Sequence, residues 1–227
     1  MANNKFSRVK AIFSLFAAVF LAGFFSGCSK PGDNIVTDGM NALKKKDFDG
    51  AISFFSEALD ADTNYSDELL YTLLATAYTQ KNDFENAIDF HKKALEKRKD
   101  YSSYILLGTL CHSLGRDEEA ESAYLAAIDF APKRAEAYGS LGALYLSHGE
   151  TDKAIEMLEK SVSINHRIGV VQGDLAVAYA MAGDEEKARA ALENAEKQKA
   201  QGIESFRARV EAALGKGPLL TEIPSAK

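Results

Sequence analysis

Groups able to do covalent or metal chemistry are few in these 227 residues: two Cys (Cys28, Cys111) and four His (His91, His112, His148, His166). Cys111 beside His112 would suit a thiolate–imidazole pair, in which the base draws off the thiol proton and leaves a nucleophile. Adjacent residues of a helix, however, point about 100° apart and do not face each other. Cys111 also shares a register with Tyr78, Tyr145 and Tyr179, so it is expected to be a buried structural thiol. His148 and His166 flank one predicted helix without the carboxylate-plus-His spacing that zinc needs. His91 falls where other stretches carry Phe55, Tyr124, Leu158 and Leu192, a packing position rather than a ligand position. The chain has no Gly-rich phosphate loop, no His-Glu-x-x-His and no Gly-x-Ser-x-Gly. No catalytic residue and no metal site is expected, and the protein reads as a non-enzyme.

The charge balance points the same way. Thirty-three acidic against 27 basic residues give a net charge of −6 and a pI near 5.3, which excludes broad electrostatic binding to nucleic acid. Two cysteines are too few for a disulfide framework. Lys44-Lys45-Lys46 and Lys97-Arg98-Lys99 close predicted helices, where positive charge complements the macrodipole. Both read as solvated caps, with contact between the first cluster and anionic lipid headgroups the less favoured reading.

Lys5, Arg8 and Lys10 precede a fifteen-residue apolar run, Ala11 to Phe25, and then Ser26-Gly27-Cys28, with no acidic residue before Asp33. A basic start, a short apolar stretch and small residues after it describe a secretory signal over 1–27. A membrane span would need roughly 20 apolar residues. Phe25-Ser26-Gly27-Cys28 resembles the bacterial lipobox, with Phe25 where most members carry Leu. That resemblance implies cleavage before Cys28 and a diacylglycerol or acyl lipid on Cys28, carried by its sulfur, with no other cofactor. Residues 28–34 would form the tether. Ser29, rather than Asp, implies a bacterial envelope protein held at the outer membrane and facing the periplasm.

Beyond the tether the chain repeats. Lys46-Asp47-Phe48-Asp49-Gly50-Ala51-Ile52 and Asn82-Asp83-Phe84-Glu85-Asn86-Ala87-Ile88 are nearly one string, and three further versions follow. The aligned alanines are Ala51, Ala87, Ala120, Ala154 and Ala188, at spacings of 36, 33, 34 and 34. Twelve residues before each stands Gly39, Ala75, Gly108, Gly142 or Ala176, and seven after each stands Ala58, Ala94, Ala127, Ser161 or Ala195. Each unit reads as two amphipathic helices split by a Gly, Asn or Lys turn and an acidic cap. The small residues belong where the two helices cross.

A 34-residue period carrying Leu-Gly, a following aromatic, then Gly-acidic, Ala, aromatic and Ala resembles the tetratricopeptide repeat. Tyr104 to Pro132 and Tyr138 to Ala154 are its best copies. The resemblance implies an all-α fold, a right-handed α-solenoid of five helix-turn-helix units at about 32–65, 68–100, 101–134, 135–168 and 169–201. Ile203 to Leu214 keeps three-to-four apolar spacing and is expected to be a capping helix over 203–214. Residues 215–227 would be a tail.

In the family, partners bind the concave face formed by the first helix of each unit. Carried onto this chain, those positions name Met40, Thr72, Thr76, Thr79, Ile105, Thr109, His112, Leu146, Val170, Val177 and Met181. The Lys, Arg and Asn with which some members grip a terminal carboxylate are missing, so no carboxylate clamp is expected. The resemblance implies an adaptor or scaffold that binds one or more envelope proteins or peptide segments, with the membrane met through the lipid. An alternative is an accessory lipoprotein that delivers a small hydrophobic ligand to a transporter. Parts of the groove could instead pack against Leu219, Leu220 and Ile223 of the tail.

Overall fold

A computed structural model describes residues 29–216. The signal segment, Cys28 and the end of the tail, with Leu219, Leu220 and Ile223, lie outside the described residues. The described chain forms eleven helices: α1 Pro31–Lys44, α2 Phe48–Asp60, α3 Asp67–Lys81, α4 Phe84–Lys97, α5 Tyr101–Ser113, α6 Asp117–Phe130, α7 Ala135–Ser147, α8 Thr151–Ile164, α9 Gly169–Met181, α10 Glu185–Lys197 and α11 Ile203–Ala213. No strand interrupts them among the described residues.

The turns explain where each first helix stops. Lys46, Asn82, Gly115, Gly149 and Gly183 share one register and all take positive φ, between 62° and 80°. Four are residues suited to that conformation, whereas Lys46 must hold a β-carbon there. The next helix starts on an acidic cap where the sequence supplies Asp. Asp47 accepts from the Gly50 amide, Asp83 from Asn86 and Asp184 from Lys187. Glu150 makes no such bond before α8, since its longer side chain caps poorly.

Contacts divide the described chain after Arg116 into two compact units. The boundary falls inside the third repeat, between α5 and α6. In the first unit each helix packs on the next in sequence, around Val36, Phe55, Leu70 and Leu74. Phe55 lies so close to Gly39 that a β-carbon there would stand 2.5 Å from the ring. Asp33 fastens the start of α1 to the loop before α3, accepting from the Lys30 and Asn64 amides, the Thr63 hydroxyl and the Asn64 side-chain amide.

In the second unit α9 touches α7, α8, α10 and α11. Every residue from Val171 to Ala180 is buried as a result. α11 covers α9 through Phe206, whose ring would meet a β-carbon at Gly173 at 2.5 Å. Arg207, Glu204 and Arg209 sit on the capping helix with its polar groups paired, Arg207 to Glu196 and Glu204, and Arg209 to Asp174.

Candidate partner-binding surface

The sequence-assigned groove residues divide between the two units. Met40, Thr72, Thr76, Thr79, Ile105, Thr109 and His112 belong to the first, and Leu146, Val170, Val177 and Met181 to the second. Met40, Thr72, Thr76, Thr109, His112 and Val170 are half-buried, and Met181 is exposed. Thr79, Ile105, Leu146 and Val177 are buried, at 2, 3, 5 and 2% exposure. That corrects the expectation that Leu146 and Val177 would be open to a partner, and it removes Thr79 and Ile105 from the accessible set.

The reason is helical register. Residues three or four apart share one face. Thr79 lies four residues after Ala75, Leu146 four after Gly142, and Ile105 three before Gly108, all small residues buried at helix crossings. Val177 lies four after Gly173, against which Phe206 packs. These four therefore share the face of the buried small residues rather than an open one.

The threonines present less polarity than their type suggests. Thr72 donates to the Glu68 carbonyl (2.9 Å), Thr76 to Thr72 (2.8 Å) and Thr109 to Ile105 (2.8 Å). Each hydroxyl proton is spent on its own helix one turn back. What remains for a partner is a methyl group and an acceptor lone pair, so Thr72 and Thr76 form a short, mildly apolar stripe on α3.

Of the residues that could have done chemistry, Cys111 and His91 are buried as packing residues. Cys111 is buried and free of any disulfide, next along α5 from half-buried His112. His148 faces Asp117 at 2.8 Å, and His166 is exposed beyond the far end of α8, so the two are not brought together. His91 is fully buried on α4 and neither of its ring nitrogens has a hydrogen-bond partner. Among the described residues no group of His, Cys, Asp and Glu could hold a metal ion.

The basic clusters part company. Lys97 pairs with Asp67 at 2.9 Å and Arg98 with Glu68 at 2.7 Å, joining the end of α4 to the start of α3. Lys44, Lys45 and Lys46 are exposed. They close α1, and fourteen residues at 1.5 Å rise put Lys44 about 20 Å from the helix start. The lysines therefore lie at the end of α1 away from Pro31.

Two braces in the second unit were not read from the sequence. Tyr145 donates to Glu121 on α6, and Tyr179 donates to Glu159 on α8. Lys153 and Lys187, each eight residues on, lie over the rings at 5.0 and 5.2 Å. Burial, then the bond to Glu121, pushes the Tyr145 phenol up to about 12. The shared Tyr register with Lys eight residues later was the available signal. Between α10 and α11 a cleft of about 240 Å³ is lined by Arg189, Glu193, Glu196, Arg207 and Glu211. Its arginines pair with Glu211 and Glu196.

Two family models for the tetratricopeptide repeat match residues 42–107 and 102–165, together more than half of the chain. The chain belongs to the tetratricopeptide-repeat family. No curated protein matches it. Among solved structures, this repeat protein is similar to MamA at 28% identity, with a TM-score of 0.66 over 76% of this chain and 94% of that one. A tetratricopeptide-repeat protein from Parabacteroides merdae matches at 18% identity and a TM-score of 0.73, over 82% and 74% of the two chains. YrrB, described as having an unusual peptide-binding site, matches at 18% identity and a TM-score of 0.63, over 92% and 99%. The last two likenesses concern the fold alone. The all-α tetratricopeptide architecture follows from helices and family models together.

Proposed function

We propose that this protein is a non-enzymatic adaptor of the bacterial envelope, anchored by lipid on Cys28, that binds a peptide segment or partner protein along the first helices of its repeats. The observation carrying the reading is the stripe at Thr72 and Thr76, with Thr109 in the same register on α5. These half-buried side chains have hydroxyls satisfied within their own helices, on a fold whose members use that face for protein contacts. A partner segment gains contact there without having to compete for the threonine protons.

The anchor rests on the basic start, the apolar run and Ser26-Gly27-Cys28. Several acyl chains hold far more firmly than one, at about 0.8 kcal/mol per buried CH₂. Outer-membrane placement follows from Ser29 by the same resemblance. A photo-crosslinker placed at Thr76 or Thr109 in intact cells should trap one or a few envelope proteins. If it captures nothing while a probe on the opposite surface does, partner binding belongs elsewhere. Metabolic acyl label should enter the protein and vanish in Cys28→Ala; label that persists in that variant removes the anchor.

A further inference from the structure

In four of the five repeats the second helix fills the crossing with Phe55, Tyr124, Leu158 or Leu192. The second repeat puts His91 there. Its ring is wholly removed from solvent, and both nitrogens lack a hydrogen-bond partner. An imidazole in that setting fits only while uncharged, because a buried cation without a partner is strongly disfavoured. α4 packs against α3 and α5. Among the described residues, Asp100 at the start of α5 is the one charged group that acts on the ring, and it favours the protonated form. Asp100 is already occupied as an N-cap, accepting from the Ser103 amide at 2.8 Å.

We propose that His91 is an acid-operated latch for the second repeat: uncharged, it fastens α4 against α3, and protonation opens the pair. The direction follows from linkage. Burial pushes the imidazole down to about 4 from its ordinary 6.5. With the pair open, the ring takes a proton as soon as pH falls below 6.5, whereas the closed pair binds none until about 4. Closure is therefore complete in strength above 6.5 and weakens steadily between 6.5 and 4. Below 4 the loss levels off. At about pH 4.5 the opening constant should have risen on the order of 100-fold. Since α3 carries Thr72 and Thr76, the proposed partner surface would loosen with it. That consequence rests on the adaptor reading, while the latch itself does not.

Hydrogen–deuterium exchange on the purified full-length protein at about pH 7 and pH 4.5, corrected for intrinsic rates, tests the latch. The wild type should show faster exchange in α3 and α4 at the lower pH, with α7 and α8 little changed. His91→Phe and His91→Leu, which restore residue types found in the other repeats, should lose that local acid sensitivity. Equal acid sensitivity in wild type and variants overturns the proposal. If both variants fail to fold, the wild-type imidazole decides it by nuclear magnetic resonance. A His91 ring signal flat between pH 7.5 and 5 supports the latch, and a titration midpoint near 6.5 in the folded protein overturns it.

Discussion

Leu158 seats its branch carbon on the backbone of Gly142, where a β-carbon would stand only 2.6 Å away. Phe55 stands to Gly39 as Leu158 does to Gly142, sixteen residues on in both cases, so this close approach is a repeated joint between the helices of one repeat. Gly142→Leu should destabilise the second unit, since overpacking costs about 1–3 kcal/mol. Thermal melting followed by circular dichroism checks it. An unchanged melting temperature would show that α7 and α8 do not cross where the packing places them.

The capping helix depends on one ring. Phe206 is buried against Gly173 and, with Val210, forms the inner face of α11. Phe206→Ala should cost about 3–5 kcal/mol by leaving a cavity. The loss should appear first as tryptic cleavage at Arg207 and Arg209, while α1–α5 remain resistant. Uniform cleavage along the chain would mean that α11 is not a separable cap.

Lys46 offers the opposite sign. It occupies a left-handed turn, φ 62°, where three other repeats have Gly. A β-carbon in that region costs about 1 kcal/mol, and its side chain is exposed. Lys46→Gly should therefore raise the melting temperature, offset in part by the added freedom of Gly in the unfolded chain. A lower melting temperature would mean that the lysine makes a contact stronger than the strain it bears.

These joints show what was legible in the sequence. The period, the turn residues and the small crossing residues are local or strictly repeated, so Gly142 and Ala154 could be placed before any coordinates. Exposure was harder to read. Val177 and Leu146 look like groove residues by position, yet their burial depends on what stacks over Gly173 and Gly142, a matter of tertiary neighbours. The state of the threonine hydroxyls is illegible in the sequence for a related reason. A Thr can spend its proton on its own helix, and only the rotamer decides. Lys46 was recognised as a turn residue, but the strain it carries depends on a backbone angle that its residue type argues against.

Acid should find a second weak point, distinct from His91. Four hydrogen bonds converge on Asp33, the Asn64 and Lys30 amides foremost, and hold its carboxyl well below the usual carboxylate range. A depressed folded value means that the stabilising contribution is fully present above the unfolded value of about 3.9. It is lost as pH falls below that. Asp33→Asn should lower the melting temperature at neutral pH, and the gap to wild type should narrow progressively as pH falls below about 3.9, closing only well below the usual carboxylate range. A gap that persists at low pH would assign the loss to shape rather than to charge.

The partner surface yields the sharpest contrast, because two substitutions of one kind should fail differently. Thr76 is half-buried and its hydroxyl is satisfied within α3. Arg can extend from there into solvent, so Thr76→Arg should keep stability within about 0.5 kcal/mol. A partner approaching α3 would have to desolvate that charge without a counter-ion, and capture should be lost. Val177 is buried on a helix with four neighbours. Val177→Arg should instead cost about 3–5 kcal/mol as an unpaired buried charge, and any loss of capture would follow unfolding. Lys160→Glu, exposed on α8, is the control and should alter neither property. Melting curves and partner pull-downs on the same three preparations separate the outcomes. Normal capture by Thr76→Arg would move the binding face away from the α3 stripe. A stable Val177→Arg would show that α9 has an open face after all, which would return the second unit's first helices to the candidate surface.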